Sequence, residues 1–390
     1  MSIALMVPDM PAAADLLPWL HRIDAARHYT NRGPLAQELE ACLGCLVRNT
    51  DPATVDADFD ATVVGNGTTA LELALAAQGV GPGWTVAVPA LTFPATGLAP
   101  LRLGADVVLL DVDPTTWALT PDLARAALAH RSIDMVVPVA AFGSPVDVAA
   151  WDAFAQDTGV PVTVDAAAAL GAQPGSRKGV IVFSLHATKP FGVGEGGLVV
   201  GPSAVTAEVR RLANFGFEDG RVATAGWNGK LSEYHAAVGL AQAIRFEDVR
   251  ARRARVHAGY RTGLAGTAIR FQRHLRPLIP AVLPVRFPSV HAADEAEAAL
   301  DRFGIETRRW YAPALHHHPA FEHCPRVGVA GREVLPTSES LARHLVGLPF
   351  HSFLTPADVE RVCAVVRAGL AAGTTEQRGP AGTLPQGMVA

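Results

Sequence analysis

The sequence predicts an α/β protein built on a mostly parallel central sheet, with a smaller α+β lobe toward its C-terminus. Three observations predict it. Between about residues 60 and 200, short Val-rich strand candidates alternate with helical stretches, as strand–helix–strand units do. Those strands are apolar on both faces, the pattern of buried parallel strands. At 390 residues the chain is long for one compact core, so two lobes are expected.

In chain order the strand candidates are ATVVG (61–65), TVAVPA (85–90), ADVVLLDV (105–112), DMVVPVAA (134–141), VPVTVDA (160–166) and VIVFSLH (180–186), followed by GLVVG. TALELALAAQ (69–78) and PDLARAALAH (121–130) read as helices between them. Residues 232–262 form a long helical stretch carrying Arg and Glu on one side. Beyond it, TAIRFQ, AVLPVRF and a helix around DEAEAALDRFG make the smaller lobe. The expected division is a large domain over 1–250 with an N-terminal arm over 1–35, and a small domain over 251–370. Residues 371–390, rich in Gly, Pro and Thr, are expected to form a disordered tail.

Composition narrows the function classes. Lys plus Arg total 33 against 37 Asp plus Glu, a net charge of −4, whereas a general nucleic-acid binder concentrates positive charge. A 49% hydrophobic and 18% charged chain is an ordered, well-buried one. No run approaches the roughly 18 apolar residues that cross a bilayer, and the N-terminus lacks the basic start of a secretory signal. Four cysteines fit a reducing compartment better than a disulfide framework, so a cytoplasmic location is expected.

Gly65-Asn66-Gly67-Thr68-Thr69-Ala70 matches G-x-G-x-x-A between a strand and a helix. A dinucleotide-binding turn also needs an acid at the end of the next strand, and VPALTF has none. What survives is an anion site: small residues and hydroxyls at a helix start aim N–H groups and the helix dipole at negative charge. A capped helix with no ligand accounts for the same residues.

Asp165 ends VPVTVD, and Lys189 follows 189 − 165 = 24 residues later in FSLHATKPFGVGEGG. In a parallel sheet ligands gather beyond the carboxyl ends of the strands, where Asp165, Lys189, Gly67, Thr68 and Phe93 all fall. An amine, a carboxylate, an anion-binding turn and an aromatic face at one rim suit pyridoxal phosphate. The amine forms the Schiff base, and the carboxylate keeps the pyridine nitrogen protonated so that the ring absorbs carbanion charge. Each residue also has a plainer reading: a solvated lysine, a capping aspartate, a core phenylalanine.

The chain resembles the DegT/DnrJ/StrS group of sugar aminotransferases, a branch of the fold-type-I pyridoxal-phosphate enzymes. The resemblance runs from about Tyr29 to residue 365 and is carried by YTNRGPLAQELE, NGTTALELALAAQGVGPG, VPALTFPAT, GADVVLLDVDPTTWALTPD, VDAAAALGA, FSLHATKPFGVGEGGLVV, WNGKLSEYHAAVGLAQ, TRRWYAPALH and LPFHSFLTPADVERV. It implies that Lys189 carries the cofactor and shuttles the proton. Asp165 would pair with the pyridine nitrogen, Phe93 would stack on the ring, and Thr68, the Thr69 backbone and Ser184 would hold the phosphate. Asn228 matches an asparagine that reaches the cofactor phosphate of the neighbouring subunit, which implies a homodimer with shared sites.

Three departures stand out. Ala168 occupies a position where the family usually has Gln or His, Val164 replaces an acid, and Lys230 replaces an arginine without its bidentate geometry. The resemblance also implies a ping-pong exchange in which L-glutamate leaves the cofactor as pyridoxamine phosphate and a ketone is then aminated. The acceptor it implies is a nucleotide-linked 4-keto-6-deoxyhexose, with His186, Lys230, Tyr311 and His316 on the substrate side. An aminocyclitol precursor or another ketone, a sugar dehydratase, and a non-catalytic regulator remain as alternatives, although Lys189 favours transamination. No metal is expected, since consecutive His316, His317 and His318 do not easily address one ion and no carboxylate pattern supports them. Cys42 and Cys45 read as buried packing on a helix rather than zinc ligands.

Overall fold

The computed structural model describes residues 2–51, 58–274 and 278–375, with side chains described as far as residue 370. Helices α1 (Ala13–Ala26) and α2 (Pro34–Thr50) precede strand β1 (Phe59–Val64). Then follow α3 (Gly67–Ala77), β2 (Thr85–Pro89), α4 (Pro94–Arg102), β3 (Asp106–Leu110), α5 (Pro121–Leu128) and β4 (Met135–Val136). The alternation ends with α6 (Val148–Thr158), β5 (Thr163–Asp165), β6 (Val180–Ser184) and β7 (Gly197–Pro202). Next come α7 (Ser203–Ala213), β8 (Phe217–Glu218), β9 (Arg221–Val222) and the long α8 (Glu233–Gly263). The remainder comprises β10 (Arg270–Phe271), β11 (Leu283–Arg286), α9 (Val290–Arg302), β12 (Arg326–Val327), α10 (Pro336–His344), β13 (Leu345–Leu348) and α11 (Pro356–Thr375).

The central sheet is ordered β12-β3-β2-β4-β5-β6-β7-β1, its two halves joined by the bridges Val136↔Val162 and Val139↔Asp165. Only β7 is inverted, running antiparallel to β6 and β1. Burial explains the strand compositions: every residue of β6 is buried, and four of five in β2. Each fully buried Val or Leu side chain contributes about 1.5–3 kcal/mol. One core joins the sheet to α2, α5, α6 and the start of α8, while another joins it to α3, α4 and α7. The sheet is therefore covered on both faces, which confirms the predicted class.

The helix starts follow their local chemistry. Asn66, Thr120, Asp147, Ser232 and Ser289 each accept a backbone N–H with the side chain, satisfying a donor the helix leaves unpaired. The stretch expected as a strand over 134–141 forms only β4. Pro138 has no N–H to donate, and its carbonyl instead accepts from the Asp165 amide at 2.9 Å.

A separate three-stranded sheet, β10-β11-β13, packs with α9, α11 and the far half of α8 around Val285, Phe287, Leu300 and Val362. The N-terminus joins this region: Ile3 bridges Ile305, and Asp9 binds Arg245, Arg252 and Ser352. Helix α1 and strand β12 have no counterpart among the sequence expectations. The tail expected over 371–390 lies outside the described side chains, although α11 runs on to Thr375. Cys42 is half-buried and Cys45 exposed on α2, which corrects the expectation of buried packing. No described helix is long and apolar enough to cross a membrane.

Candidate functional site

Because β2, β4, β5 and β6 run parallel, their carboxyl ends share one rim. Asp165 is the last residue of β5 and is buried. Its Oδ2 accepts a 2.7 Å hydrogen bond from Thr96 Oγ1, and its Oδ1 accepts from the Ala167 amide at 3.1 Å. Thr96 sits in the first turn of α4, is fully buried at 0%, and lies 2.9 Å from Thr92 Oγ1. A chain of two hydroxyls thus fixes the carboxylate from the segment after β2, two strands away in the sheet. Sequence reasoning missed both threonines. Their signal was in LTFPAT, where Phe93 drew the attention.

Lys189 closes the turn that follows β6, its amide donating 2.8 Å to the His186 carbonyl. Its ammonium is largely withdrawn from water, and that desolvation lowers its affinity for a proton while Asp165 pulls in the opposite direction. Its Nζ makes no hydrogen bond or ion pair among the described residues. For Asp165 burial raises the carboxyl above the ordinary aspartate range, opposed by Thr96, Ala167 and Lys189. A carboxylate and an amine, both desolvated and each in the other's field, are what acid–base chemistry on a bound ring requires.

The turn before α3 lies against Ser184, the last residue of β6. Asn66 Oδ1 accepts the Thr69 amide at 2.8 Å, leaving the Gly67 and Thr68 end of the helix as its start. A Cβ on Gly67 would lie 2.8 Å from Ser184 Cβ and 3.0 Å from Ser184 Oγ. Glycine therefore lets the start of α3 pack directly against Ser184, which sets helix-start N–H groups and a hydroxyl side by side as anion donors. Gly197 is equally confined, since its Cβ would approach the Asn66 carbonyl to 2.4 Å.

Aromatic groups form the remaining wall. Phe93, just ahead of α4, is 58% exposed, so its face is available rather than buried in the core. Tyr311 stacks on Phe142 with centroids 5.2 Å apart and meets Phe93 edge-on at 6.5 Å. Burial pushes its hydroxyl up, and the Asp165 charge adds to the effect.

The structure thus gathers Gly67, Thr68, Thr69, Phe93, Asp165, Ser184, Lys189 and Tyr311 at one rim. His186 adjoins them, its Nδ1 2.8 Å from Thr188 Oγ1 and its Nε2 3.6 Å from Glu195. His316 is set apart: its ring is buried and its Nε2 lies 3.2 Å from Glu339. Asn228 and Lys230 lie on the strand-like segment against Val64 and Gly65. Asn228 is exposed. Lys230 donates to Asn214 at 3.1 Å and sits 4.5 Å from the Phe215 ring centroid, beside a cavity of about 500 Å³. Burial lowers the Lys230 ammonium. Ala168 borders another cavity, of about 550 Å³, together with Pro190, Phe246 and Arg253.

Residues 19–367 match the DegT/DnrJ/EryC1/StrS aminotransferase family. One relative is the UDP-2-acetamido-2-deoxy-3-oxo-D-glucuronate aminotransferase of Pseudomonas aeruginosa, 31% identical over 77% of this chain and 84% of its own. Among solved structures, DesI in the presence of its TDP-sugar product is 30% identical, with a TM-score of 0.84 over 97% of this chain and 96% of that one. A Bacillus cereus ATCC 10987 chain assigned as a PLP-dependent aminotransferase is 27% identical, with a TM-score of 0.84 over 94% of this chain and 100% of that one.

Proposed function

The chain belongs to the DegT/DnrJ/EryC1/StrS aminotransferase family, and on that premise we propose that it moves an amino group from L-glutamate to a nucleotide-linked 4-keto-6-deoxyhexose. As a member of that family it is a pyridoxal-phosphate-dependent aminotransferase. The observation that carries the proposal is the desolvated Lys189–Asp165 pair at the strand rim, with the α3 turn beside it.

The donor set fits this cofactor. Close packing of Gly67 on Ser184 sets the start of α3 and the Ser184 hydroxyl side by side as donors for a phosphate, and Phe93 offers an exposed aromatic ring. Bound there, pyridoxal phosphate supplies an electron sink for charge left on the substrate carbon.

The protein's own groups perform the rest. Lys189 Nζ would hold the cofactor between turnovers and, once released, would take a proton from the reacting carbon and return it. A lowered proton affinity suits that task, because a neutral amine is the base. Asp165 would pair with the ring nitrogen, whose positive charge would return the carboxyl to its anionic form. Thr96 and the Ala167 amide keep both carboxylate oxygens oriented. Phe93 would cover the ring face, with Tyr311 packed edge-on against it, and so keep water from it.

The exposed Asn228 and the cation Lys230 would serve the site of a second copy in a homodimer. The nucleotide-sugar acceptor is supported by the sugar nucleotides named for the Pseudomonas enzyme and for DesI. Purified holo-protein treated with L-glutamate should lose its visible absorption, and a nucleotide keto-sugar should restore it. Failure to bleach with glutamate refutes the donor. Bleaching that no nucleotide keto-sugar reverses refutes the acceptor class.

A further inference from the structure

The short helix at Leu315–His317 brings two consecutive histidines against Glu339 of α10. One ligand atom from each of His316, His317 and Glu339 lies within 4.8 Å of the others. Nothing in the local sequence announces a carboxylate here, because Glu339 arrives from 23 residues away. His318 takes no part: its Nε2 turns to the Pro313 carbonyl at 3.2 Å.

From this convergence we propose a divalent transition-metal site, zinc by its ligand chemistry, formed by His316, His317 and Glu339. Two imidazoles and one carboxylate with a fourth position open to water form a familiar zinc set. Ligands about 2.0–2.1 Å from a tetrahedral ion stand about 3.3 Å from one another. His316 Nε2 and Glu339 Oε1 already stand 3.2 Å apart. Closing the set therefore needs movement chiefly of the exposed His317 ring, the freest of the three.

His316 is 2% exposed, and with Nε2 directed at Glu339 that nitrogen is the one offered to an ion, leaving Nδ1 to carry the ring's proton. The site also has a position from which to matter. The Leu315 amide donates 2.9 Å to the Ala90 carbonyl, and Phe321 lies against Gly97 of α4. An ion would fasten α10 to the segment that runs from Tyr311 over the loop bearing Phe93 and Thr96. It would act as a staple, separate from the Lys189 chemistry.

The test uses tag-free holo-protein, treated with chelator, dialysed and titrated with Co²⁺. One equivalent per chain should give the visible bands of a tetrahedral cobalt site, Zn²⁺ should displace it, and Zn²⁺ should raise Tm. His317→Ala should weaken binding by about tenfold or more and abolish the Tm rise, with the cofactor's own absorption unchanged. Glu339→Gln should weaken it in the same sense. Absence of saturable binding, or His317→Ala binding the ion as tightly as the parent, overturns the proposal. The second result would place the ion elsewhere, including on the cofactor phosphate.

Discussion

The Thr96 hydroxyl donates a 2.7 Å hydrogen bond to Oδ2 of Asp165, across 69 residues of sequence. A buried carboxyl oxygen with such a donor cannot rotate away from the rim, and removing the donor leaves that oxygen short of a partner. Thr96→Val should therefore lower kcat about tenfold, the kinetic equivalent of a hydrogen bond to a charged group worth about 1.5 kcal/mol. Thr92→Val, one step further back, should cost less. Steady-state kinetics and the visible spectrum of each variant check the order.

Lys189→Ala should reduce multiple turnover by about 10⁴-fold or more, the upper end of what acid–base groups contribute, while cofactor still binds through the donors at the start of α3 and Ser184. Equilibrium dialysis separates the two effects. In cofactor-free protein the Lys189 amine should react with an amine reagent at a pH below the ordinary lysine range. Burial lowers its proton affinity and Asp165 raises it, so Asp165→Asn should move that reactivity to still lower pH.

Mixing two inactive variants tests the shared site. In a hybrid of a Lys189→Ala chain and an Asn228→Ala chain, one site has both residues intact if Asn228 serves the neighbouring subunit. Activity should then reappear, to about a quarter of the parent level after random exchange. If each chain is self-sufficient, mixing restores nothing.

The cavity of about 550 Å³ beside Ala168 leaves room for a longer side chain. Ala168→Gln should fold with a Tm within a few degrees of the parent and shift the visible band by adding a donor near the ring. Loss of folding would show that the space is needed empty.

Much of this was legible beforehand because it is local. Asp165 at a strand end, Lys189 in a glycine-rich turn and the Gly67 helix start each announce themselves in a few residues. Thr96, Thr92 and Glu339 did not, since each matters only through a partner 4 to 69 residues away. Strand β12 was hidden for a similar reason: two residues carry no periodicity, and their place beside β3 is set by tertiary packing. The shortening of β4 follows from Pro138, whose missing donor was visible but whose use in pairing with β5 was not.

Acid should destabilise the fold through buried neutral histidines. Burial lowers His257, His351 and His274 below the ordinary 6.5, His274 to about 4. Between those values the unfolded chain binds protons that the folded chain does not, so stability falls as pH drops from about 6.5 toward 4. Urea midpoints measured across that range should decline, and His274→Asn should flatten the decline.

The most direct test of the central claim is to reduce the yellow holo-protein with borohydride and map the modified peptide. The label is predicted on Lys189 alone, at one per chain, and should be discharged by prior incubation with L-glutamate. A label on any other lysine, or none, would contradict the account.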